Sequence, residues 1–424
     1  MEDKIVSVRA QQIIDCKCRP AVEVEIRTES GAIGRGAAPT GTSVGMHESF
    51  VLRDDDSSTY KGLSVHKAVD IAVNVIGPAL TGMNVFDQRA IDEKMIALDG
   101  TPDKRRLGGN TIYSVSIAAF RAAADARSIP LYNHIANGDI RTVPVPCFNV
   151  INGGRYDKLT QAFNEFLIVP YGTDSVDFSI EMAVAVFQKL ADVLADYLGH
   201  KPHTASSYGY AAPSDDPEIV LTLMQKAIDE CGYTGRIAFA LDCASSEMYD
   251  KETGTYLLKG KRVSSDELIA YAKFLTERFN LVFIEDLLDE NDWTGYSNAV
   301  RELGRTLVLG DDLTVTNLEL LQKAHEMRAV DGFILKPNQV GTITEAMDAY
   351  RFAEEHGMIA VPSGRSGGVV DDVVMDFSVG LRVPFQKNGA PRSGERIEKL
   401  NFLMRANARI PGCRLYDISP LLRF

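Results

Sequence analysis

Residues 306 to 336 read TLVLGDDLTVTNLELLQKAHEMRAVDGFILK, and the form of this stretch decides the fold. A short apolar run reaches Asp311, a helical segment follows, and a second apolar run ends at Lys336. Strand, helix and strand in succession make one unit of a parallel sheet. The unit recurs on both sides. RIAFALD ends at Asp242, NLVFIED reaches Glu285, and MIAVPSGR runs out to Arg365. SSDELIAYAKFLTERF and TITEAMDAYRFAEEHG carry apolar residues at helical spacing between those runs. This many units favours a closed barrel, with a doubly wound open sheet as the alternative.

The chain starts differently. KIVSVRAQQII, PAVEVEIRT and GAIGRGAA read as strands. SVHKAVDIAVNVIGPAL and NTIYSVSIAAFRAAADAR then have helical spacing, with Asn110 placed to cap the second helix. Strands followed by helices make an α+β domain, set here at residues 1–142, and the Pro-spaced TVPVP reads as a linker to a barrel over 143–424. The fold class is thus α/β, an N-terminal α+β domain followed by an (α/β)8 barrel.

Hydrophobic residues make up 45% of the chain and charged residues 24%, the composition of an ordinary globular protein. The formal net charge of −13, without a dense basic run, argues against nucleic acid or an anionic membrane as partner. An anionic small substrate remains compatible with it. No apolar run reaches the roughly 20 residues needed to span a bilayer, and MEDKIVSVRA lacks the apolar core of a secretory signal. A cytoplasmic location is expected. The six cysteines are scattered, with no CxxC pair, so free thiols are expected rather than a zinc site.

In a barrel of this kind the site lies at the C-terminal ends of the strands. Four successive strands end in Asp242, Glu285, Asp311 and Lys336. Four separate surface ion pairs would be the plain explanation. Gathered at one mouth, however, the three carboxylates would repel, and a divalent cation would relieve them. An all-oxygen set without His or Cys points to Mg²⁺ or Mn²⁺. A lysine beside that metal and another cation would have a lowered pKa, which would let Lys336 act as a base.

At these residues the chain resembles the enolase family. The strongest segments are FNVINGG, ALDCASSEMY, FIEDLLDENDW, GDDLTVTN, LKPNQVGTITEA and NGAPRSGERIEKLN, and the likeness runs nearly end to end. The resemblance implies an N-terminal cap on an enolase-type barrel, one or two Mg²⁺ ions, a phosphorylated or phosphonylated small-molecule substrate, and a homodimer or larger homo-oligomer. It implies that Asp242, Glu285 and Asp311 ligate the metal and that Ser43 ligates a second. It further implies that Lys336 is the base, that Glu165 is a catalytic glutamate, that Arg365 and Ser366 hold phosphate, and that Lys387 is a second active-site lysine.

The departures from the family pattern are specific. Tyr156 stands where the family has a histidine, Gly364 stands where it has another, and Tyr208 stands where a second glutamate belongs. The family's DSRGNP has become DCKCRP, from Asp15 to Pro20. Tyr156 and Gly364 would then line the substrate pocket, and Tyr208 would take the glutamate's catalytic position. Loss of a carboxylate on the leaving-group side, with room gained at Gly364, implies a diverged Mg²⁺-dependent enzyme working through an enolate or enol-phosphate. Carboxyphosphonoenolpyruvate synthase of phosphonate antibiotic pathways is the concrete type. A true enolase and a non-enzymatic relative are the alternatives.

Overall fold

The computed structural model describes residues 2–41, 45–136, 138–154 and 161–424. Ser43 and Tyr156 lie outside the described residues.

Alternating β-branched residues near the N-terminus form an antiparallel meander of β1 (Ile5–Ile14), β2 (Pro20–Thr28) and β3 (Ile33–Ala37). Val22, Val24 and Ile26 project from one face of β2 and are fully buried in the core shared with α1 (Gly109–Ala126). Helix and sheet approach closely because β3 carries glycines. A Cβ on Gly36 would overlap the backbone oxygen of Ser114. Asn110 is not the cap of α1. Gly108 takes that position, and the Asn110 carboxamide instead grips the backbone N–H and C=O of Leu52 from inside the first turn.

The Pro-spaced TVPVP is not a loop. Thr142–Val143 pairs with Arg414–Leu415, and Val145 opens the first barrel strand. Proline holds the chain in the extended region, which suits it to strand ends and edges.

The barrel strands are β4 (Val145–Asn152), β5 (Glu165–Pro170), β6 (Ile237–Asp242), β7 (Leu281–Glu285), β8 (Leu307–Gly310), β9 (Gly332–Leu335), β10 (Ile359–Pro362) and β11 (Phe385–Lys387). They neighbour one another in the order β10-β9-β8-β7-β6-β5-β4-β11, and a bridge between Ser363 and Lys387 joins the two ends. β6 to β8 are buried along their whole length, as strands covered on both faces must be, which is why they read as continuous apolar runs.

One strand breaks the parallel alternation. β5 runs antiparallel to both β4 and β6. Only residues 153–164 separate it from β4, whereas two helices, α2 (Val176–Leu198) and α3 (Pro217–Glu230), return the chain from its far end to β6. From there each connection to the next strand carries a helix: α4 (Ser265–Arg278), α5 (Trp293–Glu302), α6 (Leu318–Glu326), α7 (Ile343–Glu355) and α8 (Val374–Gly380). Local chemistry marks their starts. Ser264 and Glu267 form a reciprocal capping box on α4, and Thr342 caps α7. α9 (Gly394–Arg409) closes the chain against the barrel.

Burial pushes the carboxyl of Asp376, on α8, up to about 7, against the opposing pull of Arg121. Its folded value lies above the unfolded value of ~3.9, so its contribution is fully present below pH ~4 and is lost as pH rises through 7. Asp376→Asn stays neutral throughout. The variant's melting temperature is expected to gain on the wild type between pH 4 and 8, by several degrees, in a pH series of thermal melts. A constant offset across that range would show that Asp376 does not titrate there.

Candidate active site

Five neighbouring strands place five ionisable residues at one end of the barrel. Asp242 and Glu285 end β6 and β7, and Asp311 and Lys336 follow the ends of β8 and β9. Glu165 is the first residue of β5 rather than its last. Because β5 is reversed, its start lies at the same mouth, in register with Asp242, which is itself in register with Glu285. Round the rim the order is therefore Glu165, Asp242, Glu285, Asp311, Lys336.

Lys387 reaches this row from β11. Its Nζ donates to Asp242 Oδ2 at 3.2 Å and to Glu285 Oε2 at 2.5 Å, and it lies 3.5 Å from Glu165 Oε2. Lys336 pairs with Asp311, whose other oxygen accepts from Gln339 Nε2 at 2.8 Å. Burial drives the Glu285 carboxyl well up, and the neighbouring Asp242 charge pushes it further. Burial alone would lower both lysines. For Lys387 the carboxylates of Asp242, Glu285 and Glu165 override that and hold it well above its usual range.

The same balance acts on Lys336 in the metal-free site. Burial and Arg365 pull its pKa down, but the carboxylates of Asp311 and Glu285 together hold it above its usual value. With Asp311 as its partner Lys336 is an ammonium. A cation engaging Asp311 would remove the interaction that keeps it so.

The mouth has a cationic side as well. Arg365, Ser366 and Gly364 follow β10 and line the same pocket as Glu165, Asp242 and the two lysines. Arg365 is buried and holds Glu48 through two parallel bonds, Nη1 to Oε2 at 2.9 Å and Nη2 to Oε1 at 3.1 Å. Glu48 belongs to the N-terminal domain. Its segment also docks through Ser49, whose N–H donates to the Gln339 carbonyl at 2.7 Å. The cap therefore reaches across the barrel mouth.

Glu48 and Gln339 were missed in the sequence because no strand-end pattern marks them. Asp286 was missed although it adjoins Glu285. Its carboxylate accepts the backbone N–H groups of Asp311 and Asp312, each at 2.8 Å, so it aims the Gly310–Asp311–Asp312 turn.

A divalent cation fits the donors present. Asp242, Glu285 and Asp311 are buried oxygen donors, and Glu285 Oε1 is buried with no hydrogen-bond donor on it. Asp286, Asp311 and Asp312 also approach within 4.8 Å of one another. Asp286 is the weaker ligand of these, since two backbone N–H groups and the Tyr296 hydroxyl already occupy its oxygens.

Comparison with known proteins agrees with this geometry. Residues 5–135 match the family model "Enolase, N-terminal domain", and residues 140–417 match "Enolase, C-terminal TIM barrel domain". The chain is 40% identical over 407 residues to a protein of Methanococcus aeolicus named "Enolase", covering 96% of this chain and 95% of that one. It is also 40% identical over 413 residues to the "Enolase" of Methanopyrus kandleri, covering 96% of each.

This chain belongs to the enolase family.

It is accordingly a Mg²⁺-dependent enzyme of the enolase superfamily, acting on a phosphorylated small molecule. Among the described residues no helix is long and apolar enough to cross a membrane. Two departures from the family's sequence pattern meet in space. The Tyr208 hydroxyl donates to the carbonyl of Cys16 at 2.6 Å, and the Arg396 guanidinium lies over the Tyr208 ring. Tyr208 is thus bound to the DCKCRP turn and spends its proton there, rather than on the carboxylate–lysine row. Its backbone has φ +71°, a left-handed conformation that costs a tyrosine more than it would a glycine. Burial raises its pKa, which makes it a still weaker acid. His200 and His203 lie against each other on the surface and line neither of the pockets around this row.

Proposed function

We propose that the chain interconverts 2-phosphoglycerate and phosphoenolpyruvate. The observation that carries this reading is the order round the mouth: Lys336 and Glu165 bracket the three carboxylates, so a base and an acid pair flank a bound substrate. Asp242, Glu285 and Asp311 would hold Mg²⁺; the resemblance assigns a second ion to Ser43, which lies outside the described residues. When bound, Mg²⁺ supplies positive charge for the substrate carboxylate, whose negative charge grows as its neighbouring carbon loses a proton. Lys336 Nζ takes that proton. The C–H electron pair becomes the new double bond as the C–O bond to the departing hydroxyl breaks. A proton from the Glu165–Lys387 pair turns that hydroxyl into water. Arg365 and Ser366 hold the phosphate, with Glu48 fixing the plane of the guanidinium.

A second reading is a carboxyphosphonoenolpyruvate synthase-type transfer, joining a phosphonoformyl group to an enolpyruvate unit. One observation favours it: the Tyr208 hydroxyl is spent on the Cys16 carbonyl and supplies no carboxylate on the leaving-group side. The room expected at Gly364 is taken by the Lys399 ammonium. On either reading the protein is expected in the cytoplasm as a homodimer or larger homo-oligomer, with the cap at 1–142 and the barrel at 143–424.

The test is phosphoenolpyruvate formation from 2-phosphoglycerate, followed by absorbance with Mg²⁺ and then with EDTA. The first reading expects product with Mg²⁺ and its loss with chelator. No product from 2-phosphoglycerate, with consumption of phosphoenolpyruvate and release of inorganic phosphate when phosphonoformate is added, would replace it with the second.

A further inference from the structure

A second small chamber adjoins the metal side of the mouth. Its walls include Ser363, Arg365, Ser366 and Lys387, shared with the first chamber, together with Arg396 and Lys399. The charge shifts from one chamber to the other. Asp242, Asp286, Asp311, Asp312 and Lys336 line the first only and Arg396 and Lys399 the second only, while Glu165, Arg365 and Lys387 line both. Gly364 is part of the shared wall.

Gly364 is where Lys399 enters. A Cβ built on Gly364 would overlap the Lys399 ammonium. That ammonium therefore occupies the space that any side chain at 364 would need. Lys399 projects from α9 and is 4% exposed. It pairs with Glu395 one turn earlier, yet neither Glu395 oxygen accepts a properly directed hydrogen bond. An ammonium has three N–H donors, one carboxylate does not use them all, and Lys399 lines the second chamber. An anion there would offer it a further acceptor.

We propose that Lys399 is an anion-binding residue of this site, donating to the phosphate of the substrate beside Arg365 and Ser366, and that Gly364 leaves it the room to do so. This rests on the reading of Arg365 and Ser366 as the phosphate grip. A side chain at 364 would displace the Lys399 ammonium from its present position, so the chain reads its anion with a flexible ammonium from α9.

The experiment is calorimetric titration of the Mg²⁺-loaded protein with inorganic phosphate. Lys399→Met is expected to raise the phosphate Kd about tenfold, the effect of losing one charge-assisted hydrogen bond. Lys399→Arg is expected to stay within about threefold of wild type. Since Lys399→Met leaves Glu395 buried without its cation, the double variant Lys399→Met/Glu395→Gln removes the pair together. It is expected to show the same tenfold loss with Mg²⁺ affinity unchanged. Gly364→Ala is expected to weaken phosphate binding in the wild type but to add little in the Lys399→Met background. Wild-type phosphate affinity in the double variant would overturn the proposal and make Lys399 a structural partner of Glu395. Phosphate loss in a protein that fails to turn over 2-phosphoglycerate would overturn the proposed function alone.

Discussion

Lys336→Ala is expected to abolish proton abstraction while leaving Mg²⁺ bound. The rate should fall by about 10³-fold or more, the usual range for loss of a positioned general base. Lys336 sits at one end of the rim and pairs with Asp311. In the metal-free protein it is one of two lysines that neutralise the carboxylate row. Its removal withdraws a competitor for Asp311, so metal binding should persist or strengthen. The measurement is loss of the α-proton signal of 2-phosphoglycerate by NMR in D₂O, alongside a Mg²⁺ titration. Persistent exchange at the wild-type rate would place the base elsewhere. Loss of both exchange and Mg²⁺ binding would show that Lys336 organises the metal site instead.

Lys387→Met is expected to have the largest effect on stability. Lys387 is the buried cation shared by Asp242, Glu285 and Glu165. Taking away one partner of a buried ion pair strands the other, at a cost of about 3–5 kcal/mol. The metal-free variant should therefore melt several degrees lower than the wild type. Mg²⁺ should recover much of the loss, since a ligand that binds only the folded state stabilises it. It should raise the variant's melting temperature more than the wild type's, because in the wild type the ion competes with Lys387 for the same oxygens. Equal shifts in the two proteins would mean that Lys387 and Mg²⁺ do not share ligands.

The strands and their acidic ends were legible because β6, β7 and β8 are covered on both faces and so read as unbroken apolar runs. The reversal of β5 was not legible. Nothing in FNEFLIVP states its direction, and only that direction brings Glu165, at the start of its strand, to the mouth. The lysine pairings were also hidden. Lys387 lies 102 residues beyond Glu285, and the two meet because β11 pairs with β4 and closes the barrel. Lys336 shows the same limit in its chemistry. A metal and another cation beside it suggested a base with a lowered pKa, whereas in the metal-free site its pairing with Asp311, visible only in three dimensions, helps to raise it. Tyr208 was read as standing in a glutamate's place. Its actual partner, the carbonyl of Cys16, lies 192 residues away in the other domain. Asn110 fits a cap pattern, but its carboxamide is held by Leu52, and packing decided between the two uses.

The central claim is that one rim both takes the proton and releases the hydroxyl. Incubating the wild type with 2-phosphoglycerate and Mg²⁺ in D₂O, and following α-proton exchange and phosphoenolpyruvate together, tests it most directly. The account predicts that both signals appear and that both vanish with chelator. Exchange without phosphoenolpyruvate would contradict it, by showing that Lys336 works while the Glu165–Lys387 side cannot expel water.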